Sequence, residues 1–222
     1  MQTWLSLEYD HAEELALGDD EIRTPDALVE EFLRRHSAPG DAVLDPFAGY
    51  GTTLTVAERL DRVPYGVEYD ADRIAHVRER VDHPDHAQQG DARELDPSQF
   101  PDCALCFTSP PFMERTDDRN PFENYGGESS YEQYLDDVEA VFSRVDETLA
   151  PDGTVVVDVS NMKYQGRATT LAWDIADRLS NVFVFDGEVV VGWDDPDAAE
   201  DEDQFGYGYD HSYALVFSKT ED

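Results

Sequence analysis

The chain has 222 residues, of which 40% are hydrophobic and 11% aromatic, enough to bury one sizeable core and too much for a disordered chain. It carries 51 acidic against 16 basic residues, a net charge of −35, with Lys163 and Lys219 as its only lysines. Such a surface repels nucleic acid at low salt and strains the compact state by self-repulsion, and no apolar run is long enough to span a membrane.

Residues 1–21 hold a weakly alternating stretch from Thr3 to Tyr9 and then an acidic one, read as an N-terminal arm or an edge strand with a loop. The N-terminus lacks a basic segment followed by an apolar one, so no secretory signal is expected. Residues 22–222 read as a single domain. Thr24-Pro25 offers an N-cap followed by proline at the first helical position, and Leu28, Val29, Phe32 and Leu33 keep helical spacing up to Pro39-Gly40.

Ala42, Val43 and Leu44 form a short buried strand. Asp45-Pro46-Phe47-Ala48-Gly49-Tyr50-Gly51 turns the chain, and a helix starts at Thr52. Strand, glycine turn and helix present a helix N-terminus and close backbone approach to a nucleotide-like ligand. Glycine permits positive φ there and puts no Cβ in the way. Residues 65–69 form the second strand, ending in Glu68, about 20 residues after the glycine turn, where an acid accepts hydrogen bonds from ribose hydroxyls. Residues 70–81 are helical. His83-Pro84-Asp85-His86 lacks a third ligand and reads as a solvated turn, so no metal is expected. A third short strand ends around Asp91.

Cys103 and Cys106 lie in the apolar fourth strand, 103–108. Side chains three apart on a strand point to opposite faces, so the pair is expected to be buried and inert, consistent with a reducing cytoplasm. Ser109-Pro110-Pro111-Phe112 closes this strand. Residues 113–130 read as loop, 131–149 as an amphipathic helix and 154–159 as a central strand. A loop at 160–167, a helix at 169–179, a long strand at 182–191 with a bend near Asp186-Gly187, an acidic stretch at 194–203 and a last strand at 213–217 follow. The alternation predicts an α/β fold: a doubly wound, Rossmann-like sheet, mostly parallel, with one antiparallel strand from the C-terminal hairpin.

Asp45, Glu68, Asp91 and the Ser109–Phe112 turn all fall at the C-terminal ends of predicted strands, where open α/β sheets bind ligands. The Pro-Pro step fixes φ and removes two N–H donors. It leaves Ser109 and the Pro110 carbonyl as acceptors beside the flat face of Phe112, an arrangement suited to an exocyclic amino group on a nucleobase.

These motifs resemble those of the amino-methyltransferases that act on DNA at cytosine N4 or adenine N6, over roughly residues 22–217. Asp45 to Thr53 resembles their S-adenosylmethionine loop, and Thr108-Ser109-Pro110-Pro111-Phe112 their catalytic loop, in the Ser form more typical of N4-cytosine enzymes. Arg23-Thr24-Pro25 resembles the segment that helps hold the methionine end. The resemblance implies S-adenosylmethionine as cofactor, with Asp45 among the residues that bind it, Phe47, Gly49, Gly51 and Thr53 around its methionine part and Thr24 and Pro25 helping to hold the methionine end. Glu68 would hold the ribose and Asp91 the adenine amino group. Ser109, Pro110, Pro111 and Phe112 would form the catalytic turn that holds the target base. It also implies direct transfer in the Rossmann-like class I fold, with cytosine N4 preferred over adenine N6. DNA members usually carry a sizeable recognition region. Here only 113–130 and 194–210 offer one, with Arg115, Arg119 and Arg167 as phosphate contacts. Single-stranded DNA, RNA (as in guanine-N2 methylation of tRNA) or a separate recognition subunit therefore stay open as partners. A partner subunit that binds cofactor without its own target recognition is the remaining alternative. The acidic, lysine-poor composition resembles that of proteins from salt-accumulating halophiles, in which molar salt shortens the Debye length to ~3 Å and screens the repulsion.

Overall fold

The computed structural model describes residues 2–12, 15, 23–123, 129–164, 166–193 and 211–220. One eight-stranded sheet dominates, in the order β1-β9-β10-β6-β5-β2-β3-β4. Its strands are β1 (Trp4–Leu7), β2 (Ala42–Asp45), β3 (Val63–Glu68), β4 (Ala87–Gln89), β5 (Cys103–Thr108), β6 (Leu149–Val159), β9 (Val184–Trp193) and β10 (His211–Ser218). Every neighbouring pair is parallel except those of β10, which runs antiparallel to both β6 and β9. This is the predicted doubly wound sheet with one reversed strand.

Helices cover both faces because each strand alternates its apolar side chains between two layers. On one face α1 (Asp26–His36) and α2 (Thr52–Arg59) pack Leu28, Phe32, Leu33 and Val56 against Val43, Leu105, Phe107 and Val156. On the other, α4 (Tyr131–Thr148) and α5 (Leu171–Leu179) pack Val138, Phe142 and Ile175 against Leu44, Cys106, Val155 and Val157. The short helix α3 (Ala71–Arg78) closes a smaller cluster through Ile74 and Val77 with Leu54 and Ala87. None of the described helices is long and apolar enough to cross a membrane.

Several expectations are corrected. Trp4–Leu7 takes the edge-strand alternative: it pairs with Val190–Trp193, so the sheet begins before residue 22. Helix α1 starts one residue later than Thr24 suggested: Pro25 is the extended capping residue, without a side-chain cap. Residues 160–167 are not all loop, because β7 (Met162–Tyr164) and β8 (Arg167–Thr169) form a separate hairpin. The expected bend in β9 is a register shift: Val216 pairs with Gly187 and Phe217 with Phe185, leaving Asp186 as an extra residue. Cys103 and Cys106 share one core layer rather than facing apart, because the pairing of β5 slips between Cys103 and Leu105. Both thiols are free and buried, and burial pushes Cys103 up to about 12 and Cys106 well above the ordinary thiol range, which keeps them inert. The acidic stretch at 194–203 lies outside the described residues.

Candidate active site

The C-terminal ends of β2, β3, β4, β5 and β6 open onto one cleft of about 500 Å³. Its walls include Thr24, Pro25, Asp45, Phe47, Gly49, Thr53, Glu68, Asp91, Ser109, Pro110, Pro111 and Phe112. Among the expected cofactor and catalytic residues, Gly51 is the one off the wall. Gly51 shapes the turn instead: at φ 82° it precedes α2, and a Cβ there would meet the Val77 methyl groups at 3.0 Å.

The turn is held by two buried acids. Asp45 accepts from Phe47 N at 3.0 Å and from Thr108 Oγ1 at 2.6 Å, with Thr53 as a further donor. Burial pushes its carboxyl up to about 6, against the pull of those hydrogen bonds. Glu68 accepts from Gly49 N and Asp70 N, both at 2.8 Å, and burial raises its carboxyl above the ordinary range. Asp70 in turn caps α3 through Asp72 N and Arg73 N.

Asp91, the expected adenine contact, lies on the cleft wall and is held by a neighbouring arginine. Arg93 clamps it, with Nη2 at 2.7 Å from Oδ2, and also reaches Asp137, Glu123 and the Phe122 carbonyl. The guanidinium lies 5.7 Å from the Phe122 ring, which meets Phe47 edge-on. This hub fixes Pro121 and Phe122 on the cleft wall. Sequence reading missed Arg93, Phe122, Tyr9, Asp158 and Trp193, all drawn to the cleft or its wall by long-range packing.

At the end of β5, Tyr134 Oη donates to the Pro111 carbonyl at 2.9 Å. Among the described residues, the Ser109 hydroxyl and the Pro110 carbonyl have no hydrogen-bond partner. Phe112 stays 42% exposed, leaving its ring available for stacking. Of the three expected phosphate contacts, Arg115 is tied up by Asp174 at 2.7 Å and by Thr170, and Arg119 lies 3.6 Å from Asp117. Arg167, exposed on β8, has no partner among the described residues. Among the described residues, no group of three or more His, Cys, Asp or Glu side chains could hold a metal.

The cleft fits S-adenosylmethionine. A Cβ on Gly49 would meet only the Phe47 carbonyl and one on Gly90 only Val67, so open space adjoins the backbone at both points of the wall. The cleft wall carries the carboxylates of Asp45, Glu68 and Asp91, able to accept from hydroxyl and amino groups, and the flat faces of Phe47 and Phe122, and the volume suits a nucleoside with an amino-acid tail. Fold and cleft define a Rossmann-like methyltransferase, the class whose cofactor is S-adenosylmethionine. The profile of the N6/N4 methyltransferases, described as DNA methylase, matches residues 2–79 and 103–222. The chain belongs to this family.

Type II methyltransferase M.BglII from Bacillus subtilis is 40% identical over 50 residues, 22% of this chain and 14% of that protein. Type II methyltransferase M.HpaI from Haemophilus parainfluenzae is 40% identical over 58 residues, 26% of this chain and 18% of that protein. The chain thus aligns with only a small part of either relative's length. Among solved structures, TrmN from Thermus thermophilus superimposes with a TM-score of 0.60 at 20% identity, covering 89% of this chain and 49% of that one. A precorrin-6y C5,15-methyltransferase from Geobacter metallireducens gives 0.58 at 14% identity, covering 96% and 98%. At such identities the likeness is one of fold.

Proposed function

We propose that the chain transfers a methyl group from S-adenosylmethionine to an exocyclic amino group of a nucleobase in DNA, at cytosine N4 in preference to adenine N6. The observation that carries this reading is the Ser109–Phe112 turn on the same cleft wall as the glycine turn, with two acceptors that have no partner among the described residues. Family membership supports the reaction class, and the Ser at 109 supports the cytosine preference.

Bound in the cleft, the cofactor supplies an electrophilic methyl group on a sulfonium. The chain's own residues do the rest. Ser109 Oγ and the Pro110 carbonyl accept the amino protons, drawing the nitrogen lone pair out of the ring. Phe112 stacks on the base. Tyr134, by holding the Pro111 carbonyl, fixes the turn so that the alignment is made before the reaction rather than during it. A target within a duplex has to leave the stack, at a cost of a few kcal/mol. Glu68 and Asp91 serve as ribose and adenine contacts, and Thr24 and Pro25 border the methionine end.

Residues 2–220 are read as one catalytic unit, with target selection supplied by single-stranded substrate or by a separate recognition region or subunit. Labelled-methyl transfer in high KCl to duplex DNA, single-stranded DNA and tRNA, followed by nucleoside digestion, tests the proposal. Label in N4-methylcytosine is expected. Label confined to tRNA would replace DNA with RNA as substrate, and no label anywhere would leave a cofactor-binding partner subunit.

A further inference from the structure

Methylating an amino nitrogen obliges it to shed a proton, and neither Ser109 nor a peptide carbonyl is a base. The acids on the cleft wall are Asp45, Glu68, Asp70, Asp91 and Asp158. Four are committed elsewhere. Asp45 serves Thr108, Thr53 and Phe47 N; Glu68 holds Gly49 N and Asp70 N. Asp91 is clamped by Arg93, and Asp70 is the exposed cap of α3, beyond β2 and β3 from the catalytic turn.

Asp158 differs in both place and pairing. Thr108 pairs with Val157 in the parallel β5–β6 ladder, so Ser109 and Asp158 follow side by side as the next residues of adjacent chains, about 5 Å apart by ordinary strand spacing. The alternation of β6 turns Asp158 to the α1 side with Val156, the layer that also contains Trp193. Its Oδ1 accepts from Ser212 Oγ at 2.8 Å, while Oδ2 has no partner among the described residues. No cation among the described residues neutralises it, and burial raises its carboxyl to about 6, so it is ionised at neutral pH yet a better base than an ordinary aspartate.

We propose that Asp158 is a further catalytic residue, whose free Oδ2 accepts a hydrogen bond from the target amino group beside Ser109 and takes the proton that the nitrogen releases. This rests on the amino-methyltransferase reading above. The new N–C bond forms as the C–S bond breaks with its electron pair left on sulfur. The N–H proton passes to Asp158, and from there to water. Ser212 keeps the carboxylate oriented while its other oxygen works.

Asp158→Asn preserves shape and can still accept from Ser212, so it tests the charge, and Asp158→Ser provides a second, smaller variant. The measurements are kcat and KM for methyl transfer, calorimetric affinity for S-adenosylhomocysteine, and thermal unfolding. Both variants are expected to fold and to bind S-adenosylhomocysteine as the wild type does, with kcat lowered at least ~100-fold, the lower range for a positioned base. A kcat within about threefold of wild type would overturn the assignment, far short of what a proton acceptor contributes. So would a loss of S-adenosylhomocysteine affinity large enough to account for the rate. If the wild type itself methylates no nucleic acid while still binding S-adenosylhomocysteine, the amino-methyltransferase reading fails and takes this one with it. That result is distinct from a defect confined to the Asp158 variants.

Discussion

Thr108 Oγ1 donates to Asp45 Oδ1 at 2.6 Å, joining the last residue of β5 to the last residue of β2. The bond ties the turn that shapes the cofactor cleft to the strand that delivers Ser109. Both side chains are buried, Thr108 completely. Replacing Thr108 by Val keeps the volume but leaves the carboxylate one donor short, which costs about 1–3 kcal/mol. For a chain of this size Tm is expected to fall by roughly 2–10 °C in thermal denaturation. Cofactor affinity and transfer rate should fall together, because one bond serves both loops. An unchanged Tm would show that the bond contributes nothing net.

The same carboxylate gives the site a pH signature. Folded Asp45 titrates at about 6, whereas its unconstrained value is 3.8. The folded state therefore holds this proton more tightly than the unfolded chain does. The associated stability is fully present below about pH 4 and is lost as pH rises through about 6. Asparagine can accept from Thr108 without carrying a buried charge. Melting curves of Asp45→Asn and wild type should show the Tm difference moving in the variant's favour between about pH 5 and about pH 7.5. A difference independent of pH would mean that Asp45 is not strained by its burial.

How much of this was legible in the sequence depends on how local the signal is. Asp45, Gly49, Glu68 and Ser109-Pro110-Pro111-Phe112 each stand at a strand end marked by a break in apolar pattern, so a single pass along the chain finds them. Asp158 interrupts the apolar run Val155–Val159 and looks like an ordinary alternation; only the pairing of β6 with β5 and β10 brings it beside Ser109 and Ser212. Arg93 is one arginine in an acidic stretch until folding gathers Asp91, Glu123 and Asp137 around it. The cysteines are buried and inert as expected, but that they share one layer had no mark in the sequence, because the slip of β5 near Cys103 arises only in the pairing.

Gly51 separates conformation from contact. It does not line the cleft, yet its φ of 82° sets the path from the turn into α2. Alanine there meets an unfavourable backbone region, costing on the order of 1 kcal/mol or more, and its methyl presses on Val77, 3.0 Å away. Gly51→Ala is expected to lower both Tm and affinity for S-adenosylhomocysteine. Gly40→Ala also changes a positive-φ glycine, at φ 91°, but one outside the cleft wall. It should lower Tm alone. Equal losses of affinity in the two variants would show that general destabilisation, not the shape of the turn, weakens binding.

Arg167 offers the last test, on the nucleic-acid side. In a chain with 51 acidic residues, an arginine with no acidic partner among the described residues is conspicuous. The other described arginines are engaged, Arg115 by Asp174 and Arg178 by Glu132 and Asp136 among them. Arg167 sits on β8 two residues before Thr169, whose hydroxyl accepts from Arg115 N, three residues beyond Phe112. The hairpin is thus fastened to the catalytic segment, and Arg167 is expected to meet a phosphate of the bound substrate. Arg167→Ala is expected to raise KM for DNA several-fold with kcat and S-adenosylhomocysteine affinity unchanged. Because a single phosphate contact releases about one counterion, the slope of log affinity against log salt should shrink by about 0.7–0.9. Binding measured by fluorescence anisotropy across a KCl series reads that slope directly. An unaltered slope would remove Arg167 from the DNA path.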